Sequence, residues 1–121
     1  MKGNSQDRGS KGDAGRRRPL AAAPEVVERL RQTFQALADP TRIRIILRLA
    51  GGEMCVSDLA GTLGLTMPTI SHQLRLLRHL GLVRARREGR MAFYRLDDEH
   101  LTHWLEEGVE HLSERAARGA G

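Results

Sequence analysis

The three residues Gly64-Leu65-Thr66 constrain this chain more than any other stretch. They separate two short apolar-periodic segments, so two helices must meet almost end to end. Gly64 suits the left-handed residue that stops a helix, and Thr66 suits the N-cap that starts the next. The first segment runs from about Val56 to Leu63, with Leu59 and Leu63 directed inward. The second runs from Met67 to about Leu80, where Gly81 closes it, with Ile70, Leu74 and Leu77 inward. Two helices so joined form a helix-turn-helix whose second member reads DNA. Its opposite face carries Pro68, Thr69, His72 and Arg75, flanked by Ser71 and Gln73.

Earlier punctuation is equally local. Pro24 opens a first helix whose stripe is Val27, Leu30, Phe34 and Leu37, ending near Ala38. Asp39-Pro40 restarts the chain as an N-cap followed by proline at the first helical position. In this second helix Ile43, Ile46, Leu47 and Ala50 are expected to form the buried face, and Gly51-Gly52 stops it. Cys55 falls at the N-cap of the third helix, where Ser or Thr would cap better. Beyond Gly81, Leu82–Arg87 and Met91–Leu96 alternate enough to be strands about a Glu88-Gly89-Arg90 turn. A fifth helix begins at Asp97 or Asp98, with Leu101, Leu105, Val109 and Leu112 as its stripe and Trp104 beside it. The fold class expected is mostly α with a β-hairpin wing.

Charge divides the chain into blocks. Residues 1–23 carry six Lys/Arg against two Asp, and almost nothing apolar before Leu20, so a disordered basic tail is expected. Arg16, Arg17 and Arg18 could add phosphate contacts. Residues 70–96 carry seven Arg against Glu88 alone, for a net +6. Arg84, Arg86, Arg87, Arg90 and Arg95 make the hairpin a basic wing, suited to a polyanion such as double-stranded DNA. Residues 97–121 carry seven acids against Arg115 and Arg118, a composition that suits a cation. The domain expected to bind both spans residues 24–118.

The fifth helix holds Asp98, His100, His111 and Glu114. His100 and His111 share one face but lie about 16 Å apart along the axis, too far to hold one ion. Two copies laid antiparallel bring Asp98 level with the partner's Glu114 and His100 level with the partner's His111. Two carboxylates and two imidazoles then converge at each end, a set of the kind tetrahedral zinc takes. Such ligands favour zinc, cobalt or nickel over thiophilic ions. Octahedral nickel or cobalt would draw on further residues such as His103 and Glu110. The first and last helices offer more apolar face than a small domain needs, so both are expected to bury it against a second copy in a twofold homodimer. Gly108 would permit close approach there.

Other classes fit less well. Cys55 is the only cysteine, which rules out an intramolecular disulfide and fits a reducing cytoplasm. No apolar run approaches a membrane span, and no apolar core of a secretory signal is present. A metal-dependent hydrolase would need His100, His111 and Glu114 together in one chain, which the helix forbids. A non-enzymatic role is therefore expected.

The stretches Ala36-Leu-Ala-Asp-Pro-Thr-Arg42, Glu53-Met-Cys-Val-Ser-Asp-Leu59, Thr69-Ile-Ser-His-Gln-Leu74 and Glu88-Gly-Arg-Met-Ala-Phe-Tyr-Arg-Leu96 resemble the ArsR/SmtB metal-responsive repressors over about residues 30–115. The resemblance implies a winged helix-turn-helix homodimer that binds a promoter and lets go when metal binds. The family's Cys-Val-Cys site is broken here, as Cys55-Val56-Ser57. A second site type, joining third-helix residues to Cys or His on the N-terminal arm, lacks its arm half, since residues 1–71 hold no His and no other Cys. The third type, Asp-x-His followed by His-x-x-Glu on the last helix, is matched by Asp98, His100, His111 and Glu114. The resemblance thus implies zinc, or alternatively cobalt or nickel, as regulatory ligand. It also implies Thr69, Ser71, His72, Gln73, Arg75, Arg87 and Arg90 as DNA contacts. The alternative is the same repressor sensing redox state or persulfide through Cys55, or no metal at all.

Overall fold

The computed structural model describes residues 17–119. Of the expected basic tail, residues 1–16, Arg16 included, lie outside the described residues, while residues 17–23 form no helix or strand. Five helices and three short strands follow: α1 (Pro24–Ala36), α2 (Pro40–Leu49), β1 (Met54–Cys55), α3 (Val56–Leu63), α4 (Met67–His79), β2 (Val83–Glu88), β3 (Met91–Leu96) and α5 (Glu99–Gly119).

The boundaries arise from local chemistry. Asp39 caps α2 by accepting from the Arg42 main-chain N–H at 3.0 Å. Gly64 is left-handed, with φ 70° and ψ 32°, and the Leu65 N–H then donates to the Ala60 carbonyl at 3.0 Å. That six-residue closure ends α3 and turns the chain at once. Thr66 starts α4 by accepting from the Thr69 N–H at 3.3 Å. Gly81 repeats the device at the end of α4, with the Leu82 N–H reaching the Leu77 carbonyl at 2.9 Å. Cys55 is the N-cap of α3 and makes no side-chain cap bond, as a poor capping residue should.

Ile45, Ile46, Leu59, Ile70, Leu74 and Leu77 are sealed between α2, α3 and α4. Leu49, Val83, Leu96 and Leu101 extend this core under the sheet and the start of α5. The buried face of α2 differs from the expected stripe of Ile43, Ile46, Leu47 and Ala50. Ile45, Ile46 and Leu49 are inside, Ile43 and Ala50 are half-buried, and Leu47 is exposed. The helix is apolar on two faces, so spacing alone does not say which of them meets the core.

The sheet also holds a strand beyond the expected hairpin. Its order is β1-β3-β2, with Met54 opposite Tyr94 and Cys55 opposite Phe93, both pairs antiparallel. The hairpin register runs from Val83–Leu96 to Glu88–Met91, leaving a two-residue turn of Gly89 and Arg90. Gly89 takes φ 63° at the first turn position, which suits glycine and matches the twist of the strands. The product is a winged helix-turn-helix with a three-stranded sheet. Among the described residues no helix is long and apolar enough to cross a membrane.

Candidate nucleic-acid interface and metal-ligand positions

Burial of Ile70, Leu74 and Leu77 fixes which side of α4 faces out. Thr69, His72 and Arg75 are exposed, whereas Ser71 and Gln73 sit half-buried at the flanks. Thr69 is partly occupied, since its hydroxyl accepts from the Thr66 hydroxyl at 2.8 Å. Gln73 is occupied as well: its Oε1 accepts from Arg42 Nε at 3.1 Å. Nothing in the sequence around Arg42 marks it for this role. The contact joins residues 31 positions apart, which no periodicity reports.

The wing arginines divide into two groups. Arg84 pairs with Asp97 at 2.7 Å. Arg86 grips Glu53 through Nε and Nη2, reaches Glu88 at 3.0 Å, and lies 4.7 Å from the centre of the Phe93 ring. The hydrogen bonds from Arg86 hold the Glu53 carboxyl below its ordinary 4.5, and Glu53 in turn raises the Arg86 guanidinium. Arg86 therefore secures β2 to the chain just before β1. Arg87, Arg90 and Arg95 are exposed and make no ion pair among the described residues. They are the wing cations available to an outside anion.

At the head of α5, Asp98 acts as the cap. Its Oδ1 accepts from the His100 N–H at 2.8 Å and the Leu101 N–H at 3.2 Å. Asp97 is tied to Arg84 instead, which resolves the choice between the two aspartates. The His100 ring is fully in solvent, with Nδ1 3.7 Å from Asp98 Oδ1. His111 and Glu114 lie exposed on the distal half of the same helix, one turn apart. His103 and Glu110 are exposed too, with His103 Nε2 3.9 Å from Glu107. Among the described residues no three His, Cys, Asp or Glu side chains of one chain gather around a common point. Cys55 is buried, its Sγ 3.3 Å from the Ser57 hydroxyl.

Several known proteins resemble this chain in sequence and fold. The family model described as "Bacterial regulatory protein, arsR family" matches residues 39–85. The HTH-type transcriptional regulator NmtR of Mycobacterium tuberculosis is 42% identical over 101 residues, covering 83% of this chain and 84% of that protein. A transcriptional repressor SmtB homolog of Synechocystis sp. is 40% identical over 96 residues, 79% of this chain and 73% of that one. The solution structure of apo-NmtR overlays with TM-score 0.68 at 40% identity, covering 87% of this chain and 89% of its own. A homodimeric winged helix-turn-helix DNA-binding domain from Mycobacterium bovis gives TM-score 0.70 at 29% identity, over 78% and 87% of the two chains. With a fold built around α3 and α4 and relatives of this similarity along most of its length, the chain belongs to the ArsR/SmtB family of winged helix-turn-helix transcriptional regulators and is not an enzyme.

Proposed function

We propose that the protein is a metal-responsive repressor that binds operator DNA as a homodimer and is released when zinc, or alternatively cobalt or nickel, bridges the two α5 helices. The observation that carries this reading is the layout of α5. Asp98 and His100 stand exposed at one end and His111 and Glu114 at the other, beside an apolar stripe left uncovered by the chain itself.

That stripe includes Trp104, Val109 and Leu112, and α1 exposes Val27, Leu30 and Phe34 in the same way. Leu47, Ala50, Leu105 and Val109 line an open apolar groove of about 310 Å³ between α2 and α5. Gly108 supports an antiparallel crossing. A Cβ at that position would meet nothing within 4 Å, so the glycine answers no need of this chain alone. It costs a helix about 1 kcal/mol relative to alanine, a cost that a close neighbouring helix can offset. Relatives include a repressor and a protein described as homodimeric.

The donor set fits a borderline divalent ion. Asp98 keeps Oδ2 available while Oδ1 caps the helix, and His100 projects into solvent beside it. The partner's His111 and the partner's Glu114 would complete four N/O ligands. When bound, the ion supplies a cross-link between protomers. The chain's own residues carry the rest. Thr69, Ser71, His72, Gln73 and Arg75 face the major groove and nearby phosphates from α4, and Arg87 and Arg90 hold the flanking backbone. The two α4 helices must lie about one DNA turn apart to engage together. A fixed angle between the α5 helices changes that spacing, and a coupling of about 1–3 kcal/mol between the sites is typical of such switches.

Sensing through Cys55 has less support. The thiol is 3% exposed, and the chain has no second cysteine to resolve an oxidised one.

Gel shift on the DNA upstream of the protein's own gene tests the proposal. The wild type should bind without metal and release on zinc addition. His111→Ala should bind equally well and ignore zinc. Release of the variant by zinc at the wild-type concentration would remove α5 from the mechanism.

A further inference from the structure

Arg42 touches three elements. Its Nη1 donates to the carbonyl of Ala36, the last residue of α1, at 3.3 Å. Its Nε donates to Gln73 Oε1 on α4, and its own main-chain N–H is held by the Asp39 cap. The side chain is only 24% exposed, so it is seated in a notch between α1, α2 and α4.

A guanidinium has five donors and no acceptor. The Gln73 amide facing it must therefore present its oxygen, which fixes an orientation that is otherwise ambiguous in amides. The nitrogen of the same planar group is turned elsewhere. A glutamine reads adenine by aiming oxygen and nitrogen at one base edge together, accepting from N6 and donating to N7. With one lone pair of Oε1 taken by the Arg42 guanidinium, the oxygen is a weaker second acceptor and the amide N–H the stronger partner that Gln73 can offer. The guanine edge in the major groove carries two acceptors, O6 and N7, and no donor.

We propose that Arg42 is a specificity-determining residue: by holding the Gln73 carbonyl it makes Gln73 chiefly a donor, which takes guanine in preference to adenine at one position of each half-site. The inference rests on the DNA-binding reading above. It makes Arg42 a positioning residue that acts through Gln73.

The test is selection of bound duplexes from a pool randomised across the half-site, using the full-length wild type, Gln73→Leu, Arg42→Met and Arg42→Lys. Affinities are then measured on duplexes with guanine or adenine at the position that Gln73→Leu relaxes. The wild type should select guanine there. Arg42→Met should move the guanine-to-adenine affinity ratio toward adenine by about tenfold and leave other positions unchanged. Arg42→Lys, whose ammonium still donates, should retain guanine.

Adenine in the wild-type selection at that position would overturn the inference, as would an unmoved ratio in a folded Arg42→Met or a Gln73→Leu variant that relaxes nothing. Should Arg42→Met fail to fold, judged by circular dichroism, guanine or adenine at the position relaxed by Gln73→Leu still decides. If the wild type enriches no sequence, the DNA-binding reading falls and takes this inference with it. An enriched operator with an unmoved ratio sinks Arg42 alone.

Discussion

The helix-turn-helix and the two outer helices are made of similar residues and solve opposite problems. In α2, α3 and α4 one face of large aliphatic side chains disappears completely: Ile46, Leu59, Ile70, Leu74 and Leu77 are each 0% exposed, while Leu47 and Leu76 stay outside. In α1 and α5 comparable side chains stay in water, Phe34 at 62% and Leu112 at 63%. Leucine at helical spacing therefore does not by itself mean core. What separates the two regions is punctuation. The short Gly64-Leu65-Thr66 link folds α3 and α4 back on one another, while α5, 21 residues long, is anchored in the core by Leu101 and runs on past it. The inner part makes a stable frame, and the outer part leaves apolar surface uncovered, which a second copy would cover in the proposed dimer.

The strongest way to break this contrast is to cut side chains in both regions. Leu74→Ala should cost about 2–5 kcal/mol in urea unfolding, because a sealed core cannot collapse around the void. The loss should be the same at every protein concentration. Leu112→Glu should leave the fold of one chain intact by circular dichroism and weaken self-association at least about tenfold in sedimentation, since a charge would be buried at the interface. A Leu112→Glu protein that remains dimeric at micromolar concentration would show that a second copy does not cover α5 in this way.

A subtler comparison lies within one side chain. Asp98→Ala removes the α5 cap and should cost about 1 kcal/mol of stability. Asp98→Asn keeps a good cap but removes the anionic oxygen, so stability should be retained while zinc affinity, measured by competition with a chelating dye, falls. Equal zinc affinity in Asp98→Asn and wild type would leave Asp98 with the structural role alone.

The smallest effect concerns the wing. The Arg86 hydrogen bonds lower the Glu53 carboxyl. The stability this contributes is present above the ordinary glutamate value of 4.5 and is lost as pH falls through the lowered folded value. Both groups are in solvent, so screening keeps the contribution small. Arg86→Met should therefore lower stability slightly at neutral pH, flatten the acid limb of the stability curve, and match the wild type once the Glu53 carboxyl is protonated in both. A variant with an unchanged acid limb would show that the pair does not couple the wing to the core.

What the sequence made legible was local. Asp39-Pro40, Gly64, Thr66 and Gly81 each act within six residues, and the structure has every one of them at a helix boundary. Gly89 set the hairpin in the same way. What was not legible depends on distance. The strand at Met54–Cys55 is two residues long and exists only because β3 passes beside it. The core face of α2 depends on where α3 and α4 lie, because the helix itself is apolar on two sides. The Arg42–Gln73 contact crosses 31 residues, beyond the reach of any local signal. For α5 the spacing of Asp98, His100, His111 and Glu114 was legible at once. Its meaning was tied to a second copy from the outset.

The cap at Asp98 has a further consequence. A carboxylate already pinned by two main-chain amides has surrendered most of its rotational freedom before any cation arrives. Little is left to lose on capture, so part of the ordering penalty falls on folding instead of on the encounter. In the proposed site, capture would then begin at a lower ion concentration than a freely rotating aspartate would allow.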